Sequence, residues 1–328
     1  MGPLTIHLFG KIVCDRAGES VFGLHSGKFQ ELFCYLLLHR DRPLTRETIA
    51  NVFWGDFTTV QSRKYLRQAL WQLQGALDAG VDEAHRRVLK VEPGSVGIDP
   101  QAEIWLDVDV FERAFVQVQK TVGDHLEEHQ ACSLREAVRL YRGDLLEGWY
   151  QDWCLFERER LQNMYLAMLD KLMCYSEAHD CYQAGLEYGE RVLALDRAHE
   201  RTHQRMVRLH YLSGDRARAL RQFDRCVRSL AEELNVKPAA RTLQLHEQVR
   251  ADHLELPQCG PLPAPAKASE EPSGRPTLSP LPEILKRLRG LEEVLADAHL
   301  HLQQNIQVVE RILHGNPRPS LSQNGRAD

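Results

Sequence analysis

The chain has 328 residues, a length that suits two or three domains with full hydrophobic cores. Leu and Arg are abundant, 27% of residues are charged and the net charge is −5, which describes a helical soluble protein and excludes a general attraction to nucleic acid. Positive and negative side chains also balance over residues 1–105, so any pull on a polyanion there must come from a local patch.

No apolar run approaches the roughly 20 residues that cross a bilayer, and no membrane partner is expected. Met1-Gly2-Pro3-Leu4 lacks the basic and apolar regions of a signal peptide, and Ile6 stands where myristoylation needs Ser or Thr. The eight cysteines include no C-x-x-C pair. Cys34, Cys174 and Cys226 fall inside apolar helical patterns and read as reduced core thiols of a cytoplasmic protein. Cys174, His179 and Cys181 come nearest to a metal cluster; neither a metal nor another cofactor is expected.

Taken in order, Leu4, Ile6 and Leu8 alternate with Thr5, His7 and Phe9 as in a half-buried strand. Lys11–Cys14 and Ser20–Leu24 suggest two more short strands around a polar turn at 15–19, which gives a small antiparallel sheet. Gly27 opens a helix in which Phe29, Leu32, Phe33, Leu36 and Leu37 form a broad apolar face. Pro43 stops it. Thr45 is placed to cap a second helix, with Leu44 and Ile49 as a hydrophobic staple and Ile49, Ala50, Phe53 and Trp54 facing inward.

The third helix organises this region. Leu66, Leu70, Leu73 and Leu77 form one stripe at helical spacing, and Thr58 with Gln61 fits a capping box. Arg63, Lys64, Arg67, Gln68, Trp71 and Gln72 fall on the other side. Cationic, amide and aromatic side chains are the types that touch phosphates and base edges. Beyond a polar loop, 87–91 and 95–99 flank Pro93-Gly94, a pair suited to a type II turn. Arg86, Arg87 and Lys90 lie along this hairpin. Helix, helix, short turn, longer helix and hairpin is the order of a winged helix-turn-helix, with the third helix as its reader and the hairpin as its wing.

Gly27-Lys28, Pro43-Leu44-Thr45-Arg46-Glu47, Trp54-Gly55-Asp56, Ser62-Arg63 and the leucines of 66–77 resemble the winged-helix half of the SARP-type bacterial transcriptional activators, itself similar to the effector domain of response regulators. The match runs on through Trp105–Glu112, Tyr141–Gly148, Trp153-Cys154, Glu157–Leu161, Gly214–Leu220 and Glu232–Pro238, motifs of the bacterial transcriptional activator domain, and covers about residues 4–250. The sequence departs from the family at Gln72, Gln74 and Gly75, where Arg or Lys is common, at Ser95 for Tyr and at Asn235 for Gly. The resemblance implies double-stranded DNA as one partner and RNA polymerase or a signalling protein as another.

Residues 108–250 also read as helices without the family. Ser213-Gly214-Asp215 joins two of them tightly, and Ala219, Leu220 and Phe223 have the spacing of a tetratricopeptide second helix. Arg201, Arg205, Arg208, Arg216, Arg218, Arg221, Arg225 and Arg228 make the late helices basic; a solvated face offset by nearby acids is favoured over a second DNA contact. Residues 255–280 are rich in Pro, Ser, Gly and Ala, as in a disordered linker. Leu281, Ile284, Leu288, Leu291, Leu295, Leu302, Asn305 and Val309 then follow a heptad seam, which predicts a self-associating coiled coil.

The expected fold is mainly α. A winged helix-turn-helix with a small antiparallel sheet and wing hairpin occupies 1–105, and a tetratricopeptide-like α-helical repeat domain occupies 106–254. A linker (255–280), a coiled-coil-like helix (281–314) and a disordered tail (315–328) follow. The expected function is sequence-specific transcriptional regulation as a homo-oligomer, most simply activation. The alternative is a protein-interaction adaptor with a degenerate winged helix. No phosphate-binding glycine loop, nucleophile motif or H-E-x-x-H points to an enzyme.

Overall fold

A computed structural model describes residues 3–21, 27–78 and 87–254. The predicted linker, heptad helix and tail lie outside them, as do Arg86 and all the seam residues from Leu281 to Val309.

The chain opens with strands β1 (Leu4–His7), β2 (Val13–Arg16) and β3 (Glu19–Ser20). β1 pairs antiparallel with β2, and β2 with β3. Two details correct the sequence reading. The turn is tighter than 15–19, because Ala17 and Gly18 both take positive φ (52° and 86°) and close it in two residues. The sheet is also mixed, since a later strand, β7 (Ile104–Leu106), lies parallel to β1 on its other side.

Helix α1 (Lys28–Leu38) buries Leu32, Phe33, Leu36 and Leu37. The short β4 (Leu44–Thr45) leads into α2 (Arg46–Trp54), where Thr45 caps as predicted by accepting from the backbone N–H of Thr48 at 3.1 Å. α3 (Thr59–Asp78) follows, then the hairpin β5 (Leu89–Val91) and β6 (Ser95–Ile98). β4 adds to β6, so the wing is a three-stranded sheet rooted in front of α2. Gly94 does not take positive φ, so the Pro93-Gly94 turn is not type II. The strand geometry instead lets Arg46 donate its backbone N–H to the Gly94 carbonyl at 3.1 Å.

From Asp107 onward the described residues are helical: α4 (Asp107–Val118), α5 (Glu128–Leu140), α6 (Asp152–Ala178), α7 (Tyr182–Leu195), α8 (Glu200–Leu212), α9 (Arg216–Leu234) and α10 (Ala240–Arg250). α6 starts five residues before the predicted stretch at 157, with Trp153 and Cys154 already inside it. α8 and α9 form the expected tight hairpin, closed by Gly214 at φ +83°. Gly189 of α7 lets Met206 of α8 and Met173 of α6 come close; a Cβ there would lie 2.7 Å from the Met206 sulfur.

One apolar core runs without a break from the N-terminal sheet and α1–α3 into α4–α6, taking in Phe33, Leu73, Phe111, Leu134 and Leu169. The chain segment after β1 is stitched to the loop before α6: Gly10 donates to Asp144 O, Leu146 to Leu8 O and Glu147 to Gly10 O, all at 2.8–2.9 Å. Arg158 clamps that loop by donating to the carbonyls of Leu145, Leu146 and Trp149 at 2.9–3.1 Å. Arg40 at the end of α1 pairs with Asp109 and Glu112 of α4 at 2.8 and 2.5 Å.

The late arginines are largely spoken for. Arg201 and Arg205 pair with Asp170, Arg208 with Glu177, Arg218 with Asp215 and Arg225 with Glu190, which is the offset face that the sequence favoured. Cys174 is only half-buried and receives a contact from Arg205, so it is not the core thiol expected. Cys34 and Cys226 are buried.

Candidate nucleic-acid interface

Everything about α3 fixes its orientation. Leu66, Leu70, Leu73 and Leu77 are each at most 3% exposed, and burying a leucine side chain contributes about 1.5–3 kcal/mol. Ala69 and Ser62 join them. Ser62 is the residue that the sequence pattern missed. Its hydroxyl donates to the Trp54 carbonyl at 2.7 Å and ties the first turn of α3 to the last turn of α2. At the far end Arg16 of β2 donates to the Leu77 carbonyl at 2.7 Å, a cation placed at the negative end of the helix dipole. The predicted capping box is half formed. Gln61 reaches back to accept from the Thr58 N–H at 3.3 Å, but the Thr58 hydroxyl donates to the same Gln61 oxygen.

With its back fixed, α3 turns the predicted set outward. Arg63, Lys64, Arg67, Gln68, Trp71 and Gln72 are all exposed, and so are Arg87 and Lys90 on the hairpin. Trp71 is 75% exposed and Val60, on the same face, 79%. An exposed tryptophan amid cations is an unfavourable surface in water and a useful one against bases.

The charges are not equally available. Arg63 pairs with Glu47 of α2 at 2.9 Å, and Lys90 with Glu92 at the hairpin turn at 3.0 Å. Lys90 and the Ser95 hydroxyl hold the Glu92 carboxyl below the usual range, so it stays ionised at neutral pH. Among the described residues, Lys64, Arg67 and Arg87 have no carboxylate within ion-pair distance. Exposed pairs of this kind are weak, so a phosphate can displace Glu47 or Glu92. The cost is that the net positive charge of the face is lower than its sequence suggests.

Among the described residues no group of acidic, His or Cys side chains could hold a metal ion. No described helix is long and apolar enough to cross a membrane.

Residues 106–250 match the family model of the bacterial transcriptional activator domain. The regulatory proteins AfsR of Streptomyces coelicolor and of Streptomyces griseus are 25% identical over 301 and 282 residues, 90% and 84% of this chain. The chain spans less than a third of their length, 29% and 28%. The regulatory protein DnrI of Streptomyces peucetius is 27% identical over 260 residues, 76% of this chain and 93% of that protein. Among solved structures, Mycobacterium tuberculosis EmbR in complex with a low affinity phosphopeptide aligns with a TM-score of 0.58 at 18% identity, covering 77% of this chain and 66% of that one. That likeness is one of fold.

Proposed function

We propose that this chain, which belongs to the SARP-type bacterial transcriptional activators, is a sequence-specific DNA-binding regulator that activates transcription. In this reading residues 1–105 read the DNA and residues 106–254 carry the effect. α3 enters the major groove, Lys64 and Arg67 hold phosphates or bases, Gln68, Trp71 and Gln72 meet base edges, and Arg87 with Lys90 on the wing, next to Arg86, touches the backbone. The observation that carries it is the outward face of α3: cations, amides and a bare tryptophan on a helix pinned from behind by four leucines, Ser62 and Arg16.

The stacked helices from α4 to α10 form the surface offered to RNA polymerase or a signalling protein, and the heptad seam of 281–314 joins copies of the chain. Two copies would read half-sites about one helical turn apart.

A mobility shift at graded salt tests the reading. Lys64→Ala with Arg67→Ala removes two phosphate contacts, so affinity falls and the salt slope drops by about two. An unchanged slope would assign DNA contact to some other face.

A further inference from the structure

The outermost line of α3 is set by helix geometry. Leu66, Leu70, Leu73 and Leu77, spaced by four, three and four residues, mark the buried line. Lys64, Gln68, Trp71 and Gly75 have the same spacing and run along the opposite side, with Gln72 beside them. All five are exposed. Among the described residues neither the Gln68 nor the Gln72 amide has a hydrogen-bond partner, and nothing lies within 4 Å of a Cβ built on Gly75. Gly75 also has no positive φ. Among the described residues, neither packing nor backbone conformation therefore requires glycine there, although glycine is the poorest helix former after proline. What glycine does offer on an outer line is a close approach of the helix backbone to something outside the molecule.

We propose that this line reads A·T base pairs: Gln68 and Gln72 each hydrogen-bond an adenine edge in the major groove, Trp71 packs on a thymine methyl group, and Gly75 leaves room for the helix end to lie against the DNA. The inference rests on the DNA-binding reading above and says what that face selects. A glutamine amide matches adenine in both directions, its NH2 donating to N7 and its oxygen accepting from the N6 amino group. Gln68 and Gln72 stand about 6 Å apart along the helix axis, close to two base steps of about 3.4 Å. The thymine of each such pair presents its methyl group in the same groove, where an exposed indole can cover it. The amides are uncharged, so they add nothing to non-specific attraction. Arg63 is drawn toward Glu47 and away from this line, which leaves the amides central to readout.

The test is selection of duplexes from a random pool by the full chain. The expected site has A·T pairs at two positions about two steps apart. Replacing either adenine by 7-deazaadenine, which lacks N7, should weaken binding about tenfold. Gln68→Ala and Gln72→Ala should each abolish the preference at one position and leave the salt slope unchanged, because neither side chain neutralises a phosphate. Gly75→Ala should raise the melting temperature of the free protein and yet weaken binding to the selected duplex. G·C pairs at both positions, or base preferences that survive both glutamine substitutions, would overturn the assignment. A Gly75→Ala chain that binds as tightly as the parent would overturn the close approach. Failure to retain any duplex at low salt would instead overturn DNA binding itself, a result that the salt-graded Lys64 and Arg67 experiment reaches separately.

Discussion

Leu8 donates its backbone N–H to both carboxylate oxygens of Asp107, at 3.0 and 2.9 Å, across 99 positions of sequence. The same carboxylate accepts from Phe9 at 3.1 Å and from Val108 at 2.8 Å, while being 1% exposed. Burial pushes its pKa up, and the backbone donors act against that push. Asp107 thus completes the end of β1 and the first turn of α4 at once. Asp107→Ala leaves three backbone donors without their acceptor in a buried site. We expect a loss of about 3 kcal/mol or more, read as a lower urea midpoint. Asp107→Asn keeps one acceptor oxygen and should fall between the two.

Glu47 and Glu92 pair with Arg63 and Lys90, two of the cations that the proposed function sets against DNA. Glu47→Gln and Glu92→Gln should therefore tighten binding to any duplex, about two- to fivefold each at low salt, and the gain should fade as salt rises. The check is a titration of unrelated duplexes. Equal affinities for parent and variants would show that neither carboxylate competes with phosphate.

Ser62→Ala removes the hydroxyl that joins α3 to Trp54 of α2 and leaves the Trp54 carbonyl with the longer bond from the Phe57 N–H at 3.2 Å. A cost of about 1–2 kcal/mol is expected in thermal or urea unfolding. A DNA affinity lowered by more than the stability change explains would mean that this bond also sets the angle at which α3 meets DNA.

His203 gives the protein an acid-sensitive point. It is 0% exposed, with its Nε2 3.0 Å from the Arg197 carbonyl and its Nδ1 2.9 Å from the Gln222 amide nitrogen. A carbonyl only accepts, so Nε2 carries the hydrogen and Nδ1 accepts from Gln222. A second proton would have to displace the Gln222 donor. Burial lowers the His203 pKa accordingly. The unfolded chain takes up a proton near pH 6.5 and the folded one only at lower pH, so this contribution is full above pH 6.5 and is lost as pH falls below it. The urea midpoint should drop from pH 7 toward pH 5.5. His203→Gln should flatten the slope, leaving the share of His210, which burial also lowers. An identical slope in the variant would place the titration elsewhere.

The heptad seam from Leu281 to Val309 predicts that ending the chain at residue 254 lowers the mass in solution by a whole-number factor beyond the loss of residues. Light scattering on the two chains checks it. The same protomer number in both would rule out the seam as the join.

The periodic parts of the fold were legible in the sequence. Four leucines at helical spacing marked the buried side of α3, and Thr45 marked the start of α2. What stayed hidden depends on contacts between distant residues. Nothing near Ile104–Leu106 says that it pairs parallel with β1, because parallel pairing has no local turn to announce it. Ser62 looks like any polar first-turn residue until Trp54 is brought above it. For the candidate interface, residue types indicated which side chains face outward. The pairing of Arg63 with Glu47 could not be read, since 16 positions separate them.

The backbone hydrogen bonds between Leu8–Gly10 and Asp144–Glu147, backed by the continuous core, tie α3 to α4–α6. In the DNA-binding reading proposed above, a body tied in this way works as a compass needle. Moving its site by about five base pairs, half a helical turn, would swing the whole array to the opposite side of the duplex. Promoter output should therefore oscillate with site position, recovering at full-turn offsets, rather than decline smoothly with distance.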